Sequence, residues 1–242
     1  METVAENLLK VNEGIDKVES LNAELAETLY GGDTGYRGYY DEFWNAYQQN
    51  GNRTDHTNAF SGQGWTDVTF NPKYNIRVSN AYMMFRESKI SDLDDVTIDF
   101  SPCVNASYAF YFSSFVHLGV IDFSNVNQGS ANIFSYSERL ESIDRLILGD
   151  KSKVQLNGSF NGLTALKNLI IDGVISENVL FQWSTMLSKA SITSVINALS
   201  STTSGLTITF SKTAVENAFG GTGSTEWATL IATKSNWTIS LV

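Results

Sequence analysis

A single cysteine, Cys103, and two histidines, His56 and His117, are all that 242 residues offer toward thiol chemistry or soft-metal ligation. One cysteine cannot close an internal disulfide, so the chain holds no redox framework. A lone thiol of this kind reads as a small buried hydrophobe. Basic residues are also scarce: 16 Lys and Arg stand against 26 Asp and Glu, a formal net charge of −10. Phosphate backbones are held by clustered cations, so this balance speaks against a nucleic-acid partner. It equally disfavours an anionic membrane surface. No apolar run approaches the ~18 residues of a membrane span, so no membrane insertion is expected. The opening METVAENLLKVNEG lacks the basic region and apolar block of a secretion signal. Export, if it occurs, is expected by another route such as lysis.

What the chain does have is enough apolar material for a sizeable core, 42% hydrophobic residues against 17% charged. Ser, Thr and Asn fill the polar quota. That composition suits turns, short strands and hydroxyl-lined surfaces.

The first thirty residues carry a heptad seam. Leu8, Ile15, Asn22 and Leu29 fall at one core position, and Val4, Val11, Val18 and Leu25 at the other. A single polar Asn in such a seam sets register and oligomer state, and repeated β-branched Val disfavours a simple parallel dimer. The spacing predicts a homo-oligomerising helix over 1–30, with a trimer favoured. The alternative is one amphipathic helix packing on its own domain. Gly31-Gly32-Asp33-Thr34-Gly35 favours the first reading, because a glycine-rich hinge over 31–38 frees the helix from the body.

Large aromatics anchor a recurring pattern in the middle of the chain. Phe112, Phe134, Phe160 and Phe181 are each followed six residues later by Leu118, Leu140, Leu166 and Leu187. Three and five residues on come the pairs Ile121/Phe123, Leu169/Ile171 and Ala190/Ile192, while the Leu140 unit runs Ile143, Leu146, Leu148. A degenerate copy starts at Phe85 and passes through Leu93 to Val96 and Ile98. Anchors lie 27, 22, 26 and 21 residues apart, largely within the leucine-rich-repeat range of about 20–29. Each pair separated by one residue is expected to be the inward face of a short strand. Phe160 and Leu166 are expected in the core, and the segments 96–98, 121–123, 146–148 and 169–171 are expected side by side as parallel strands.

The spacing in FNGLTALKNLII resembles that of BspA-like leucine-rich repeats, found in bacterial surface proteins and phage genomes, over about residues 81–195. The resemblance implies an α/β solenoid, here an irregular repeat array with a coiled-coil arm and an α+β C-terminal cap. Ends of such arrays need covers. An aromatic cap is assigned to 39–80, where Tyr40, Phe43, Trp44 and Tyr47 share one helical face, and a C-terminal cap to 196–242. In the latter, LTITF (206–210) and WTISL (237–241) alternate like strands, with helices opening at Ser211 and near Ser224. The segments YDEFWNAYQQNGNRT, SKTAVENAF and STEWATLIATKSNWTISLV look like those of repeat proteins encoded among phage structural genes of gut bacteria.

A search for chemistry finds little. Cys103 and a histidine lack an activating context. Asp92, Asp94, Asp95 and Asp99 cluster but lack the calcium-loop order. GGTGST (220–225) has no lysine at the phosphate-loop position. Glu138, Glu141 and Asp144 could serve glycosidic cleavage only if two faced each other across a cleft. No catalytic residue, metal or cofactor is assigned. The aromatics between Tyr36 and Phe85 read as core of the N-terminal cap, with a carbohydrate-stacking surface as the alternative. The resemblance therefore implies a non-enzymatic phage virion protein of a tail, baseplate or head fibre, located in the virion. Its partners would be sister virion proteins and a host-surface carbohydrate or protein. A bacterial surface adhesin is the alternative, and a glycan-degrading tailspike the second.

Overall fold

A computed structural model describes residues 54–62, 75–91, 97–149, 154 and 156–242. The heptad positions Val4 to Leu29, the hinge and most of the aromatic cap lie outside the described residues, as do Asp92, Asp94 and Asp95. Along the described chain run β1 (Asn75–Arg77), β2 (Thr97–Asp99), β3 (His117–Phe123), β4 (Ser142–Leu148), β5 (Asn168–Asp172) and β6 (Val179–Phe181). They are followed by α1 (Lys189–Ala198), β7 (Leu206–Phe210), α2 (Lys212–Phe219), α3 (Thr225–Ala232) and β8 (Trp237–Leu241).

The α/β solenoid expected from the repeat is not the architecture found. The described strands divide into three small parallel sheets, β1-β2, β3-β4-β5 and β6-β7-β8, accompanied by three helices, and not one repeat array. Past the ends of β2 and β3, the Asn125 side chain donates 2.7 Å to the Ser101 carbonyl. Beyond β5, the segment holding Ala190 and Ile192 is helical and not the fourth strand that the repeat predicts. Its hydroxyls close the sheet edge: Ser191 and Ser194 accept the Leu169 and Ile171 N–H groups at 2.8 and 2.9 Å. The helix forms because Ser188 caps it, accepting from the Ser191 N–H. Ile192, Val195 and Ile196 then fall on one buried face at helical spacing. The β6-β7-β8 sheet uses different parts of the chain, aligning Phe181 with Phe210 and Phe210 with Leu241.

Seven phenylalanines form one column through the core. Phe60, Phe85, Phe110, Phe134, Phe160, Phe181 and Phe210 stack in order, with centroids 4.5–5.9 Å apart and planes within 12–27° of each other. All seven are buried. Near-parallel rings in van der Waals contact add directional packing to the transfer energy of burial. The column corrects one anchor: Phe110, and not Phe112, occupies the core, because only position 110 falls in line between Phe85 and Phe134. Its partner follows suit. Phe115 takes the place held by Leu140 and Leu166 in the next turns, since the Val116 carbonyl accepts from Glu141 N–H and the Glu141 carbonyl from Lys167 N–H. Leu118 aligns instead with Ile143 and Leu169, and Ile121 with Leu146 and Ile171. The two sides differ by one residue between these points, and a β-bulge at Ile143/Leu146 absorbs it.

Candidate functional site

The turns carrying Phe60, Phe85 and Phe110 begin on a short polar residue, and the turn carrying Phe134 on a glycine. Asp55, Asn80, Asn105 and Gly129 pair in parallel across successive turns. Asp55 accepts the Thr57 N–H, Asn80 the Tyr82 N–H and Asn105 the Ser107 N–H, at 3.0–3.1 Å. These side-chain bonds replace backbone partners and fix tight turns. Two backbone positions per turn, four residues apart, then adopt positive φ: Asn58 and Gly62, Met83 and Glu87, Tyr108 and Phe112, Asn132 and Tyr136, Gly158 and Gly162. The second of each pair sits two residues beyond the stacked phenylalanine. Backbone bonds keep these positions in register, Phe112 N–H donating to the Ser135 carbonyl and Tyr136 N–H to the Asn161 carbonyl.

Glycine and asparagine enter the left-handed region at little cost, whereas a bulky side chain there costs roughly 1–2 kcal/mol. Tyr108, Phe112 and Tyr136 nevertheless occupy it. Two of them also leave large apolar surface in water, Phe112 at 49% and Tyr136 at 42% exposure. Trp183, two residues past stacked Phe181, is 39% exposed. Among the described residues, the three exposed large aromatics thus share one position relative to their phenylalanines, interrupted at Gly162. The interruption is itself informative, since a Cβ on Gly162 would come within 2.7 Å of the Tyr136 ring. Glycine here lets the tyrosine lie against the next turn. Around Phe112 the rings form one patch: Tyr82 meets Tyr108, Tyr108 meets Tyr111, and Phe112 stacks on Tyr136 at 5.1 Å. Tyr111 bridges to both Phe112 and Tyr136, at 4.9 and 5.9 Å.

On the opposite side of each turn, serines face inward. Ser88, Ser113, Ser137 and Ser184 lie three residues past their phenylalanines and are buried. Ser137 donates to the Phe110 carbonyl, Ser184 to the Leu163 carbonyl, and Ser113 and Ser137 bond to each other at 3.0 Å. They satisfy backbone groups that the turns leave without ladder partners. Reading the sequence for large hydrophobic anchors misses both the serines and the paired left-handed positions. The recurrence of Asp or Asn five residues before a phenylalanine, at 55/60, 80/85 and 105/110, is the signal that identifies them.

The residues considered for chemistry are placed apart. Cys103 is buried, its thiol pushed up to about 11 by desolvation, which opposes the thiolate a nucleophile needs. His56 is buried in the first described turn, while His117 meets Asp144 at 3.0 Å on the exposed face of the β3-β4-β5 sheet. Glu141 pairs with Lys167 at 2.8 Å just before β4 and β5, and Arg145 pairs with Asp172 on the sheet. Glu138 is exposed in the preceding turn. Hydrogen bonding to Ser101, with Arg77 alongside, holds the Asp99 carboxyl below its ordinary range. Among the described residues, no three His, Cys, Asp or Glu side chains group so as to hold a metal ion. Nor is any described helix long and apolar enough to cross a membrane. Gly220, in GGTGST, is the left-handed C-cap of α2. A depression of about 980 Å³ lies between the end of β5 and α1, lined by Asp172, Lys189, Thr193, Asn197 and Glu226 among others. Its charges are paired already, Lys189 with Glu226 and Asp172 with Arg145. Compared with family models, curated proteins and solved structures, the chain matches none.

Proposed function

We propose that the chain is a non-enzymatic recognition component of a phage virion, in a tail, baseplate or head fibre, presenting its body to a host surface or a sister virion protein. The line of exposed aromatics carries this reading. Three large rings exposed at one position relative to their phenylalanines, two of them on left-handed backbone, lower stability twice over, and binding is the gain that offsets the loss. Stability alone would favour Gly or Asn at those positions. Fluorescently labelled full-length protein is expected to adsorb to cells of the bacterium in whose genome, or in whose phage, the gene lies. A protein that adsorbs to no such cells and is absent from purified particles would sink the reading.

Self-association is assigned to residues 4–29, through Leu8, Val11, Ile15, Val18 and Leu25 with Asn22 meeting its symmetry mates. The support is the unbroken spacing of the seam: a lone helix of this length with that many apolar residues is marginal in water, so partner helices supply its burial. Sedimentation of the intact chain should report a trimer or another small oligomer, and deletion of residues 1–32 should leave a folded monomer. A monomeric intact chain at high concentration would remove the fibre model's main support.

A further inference from the structure

Two Asn-Gly pairs bracket the turn that carries Phe160, Asn157–Gly158 and Asn161–Gly162. We propose that the second is a self-modifying site, at which Asn161 converts to aspartate or isoaspartate, and that the conversion releases Tyr136 from its contact with this turn. The Gly162 nitrogen bonds to the Asn161 side-chain carbonyl carbon as it gives up its proton, and the side-chain nitrogen leaves as ammonia. One water then opens the resulting cyclic imide at either of its carbonyls. Opening at one leaves aspartate. Opening at the other leaves isoaspartate, with the backbone running through the former side chain.

Three observations single out Asn161. The first is the nucleophile. Its counterparts in four earlier turns, the N–H groups of Gly62, Glu87, Phe112 and Tyr136, donate to the carbonyls of Arg86, Tyr111, Ser135 and Asn161. Among the described residues the Gly162 N–H has no acceptor, so cyclisation breaks no hydrogen bond at that nitrogen. Glycine also lacks the Cβ that would hinder approach to it. The second is the electrophile. Asn80 and Asn105 engage their side-chain oxygens with the Tyr82 and Ser107 N–H groups, and Asn132 accepts from the Ser135 hydroxyl. The Asn161 side-chain oxygen is buried without a hydrogen-bond partner. An unpaired buried acceptor destabilises the reactant, and no such bond holds the side chain away from Gly162. The third separates this pair from Asn157–Gly158. There the Glu177 carboxylate accepts the Leu156 and Asn157 N–H groups, and its charge opposes the negative charge that develops on the adjacent Gly158 nitrogen.

The consequence falls on Tyr136. The Asn161 carbonyl accepts the Tyr136 N–H at 2.7 Å, and the Tyr136 ring lies against Gly162. Isoaspartate inserts a methylene into the backbone at this point and displaces that carbonyl. Aspartate instead sets a carboxylate where an unpaired oxygen is buried, a heavier desolvation penalty than that of the neutral amide. Either product loosens the contact between the two turns, and with it the stacking of Tyr136 on Phe112.

Full-length protein is incubated at neutral and at mildly alkaline pH, folded and in urea, and mapped by peptide mass spectrometry. Methyl incorporation by protein isoaspartyl methyltransferase reports isoaspartate. Conversion at Asn161 is expected to rise with pH, because the attacking nitrogen must lose its proton. The folded rate should lie within about tenfold of the rate in urea, since no local opening has to come first. Asn161→Gln, whose cyclisation needs a larger ring, should stop the conversion at this position. The converted fraction, separated by its added negative charge, should melt below the unconverted protein. A folded rate more than about tenfold below that in urea overturns the proposal, because the turn then protects the pair. Conversion confined to Asn157 overturns the choice of site. A converted fraction that melts together with the unconverted protein overturns the release of Tyr136.

Discussion

Phe160→Ala is expected to lower the unfolding free energy by about 3–5 kcal/mol. The ring is fully buried and lies in the middle of the column, 5.9 Å from Phe134 and 4.5 Å from Phe181. Truncation removes the transfer energy of a phenyl group and two stacking contacts, and it leaves a cavity between flat rings. Those rings are held from both sides by backbone bonds between turns, so they cannot close the gap by sliding together. Urea titration followed by circular dichroism checks the value, with the denaturant slope unchanged if the native state keeps its compactness. A loss under about 1 kcal/mol would mean that the column is not what holds successive turns together.

Gly173→Ala should be of similar severity for a different reason. Gly173 directly follows β5 at φ +128°, and a Cβ there would lie well inside contact distance of the Leu148 carbonyl oxygen at the end of β4. Backbone cannot swing aside as a flexible side chain can. Overpacking of this kind costs roughly 1–3 kcal/mol, and the unfavourable backbone conformation adds about 1–3 more. Gly149, one strand earlier, stands in the same relation to the Ser124 carbonyl. Close approach of successive strand ends, and not turn flexibility, is what these glycines provide. A Gly173→Ala protein that melts within a degree or two of wild type would show that the strand ends can separate freely.

How much of this was legible beforehand varies by element. Alternation in LTITF and WTISL, the Ser224 hydroxyl bonding the Trp227 N–H and the glycine after Phe219 are local signals, and β7, β8, α2 and α3 follow from them. The apolar residues of β3, β4 and β5 are likewise visible as candidates for burial. Their alignment is not, because Phe110 and Phe112 are equally hydrophobic and two residues apart. Spacing to one neighbour alone does not decide between them; stacking on Phe85 and Phe134 together does. The segment 189–198 differs for a related reason: the repeat template predicts a strand there, whereas the Ser188 cap and the burial of Ile192, Val195 and Ile196 on one face make it a helix.

The candidate surface was not legible at all. An exposed aromatic and a buried one look alike in a sequence, and the aromatics singled out there, Tyr36 to Phe85, overlap the patch only at its Tyr82 end. What the sequence by itself determined is composition and local preference: too few cations and thiols for several chemistries, capping serines, alternating strands and a regular supply of phenylalanines. Those properties depend on neighbours a few residues away, where covalent connection fixes the geometry. Only tertiary structure decided which phenylalanine of a close pair enters the column, where the sheet gives way to a helix, and which rings are left in water on left-handed backbone. Each of those outcomes is set by contact between turns 21–29 residues apart, and a side chain's burial is a property of that packing and not of its own identity.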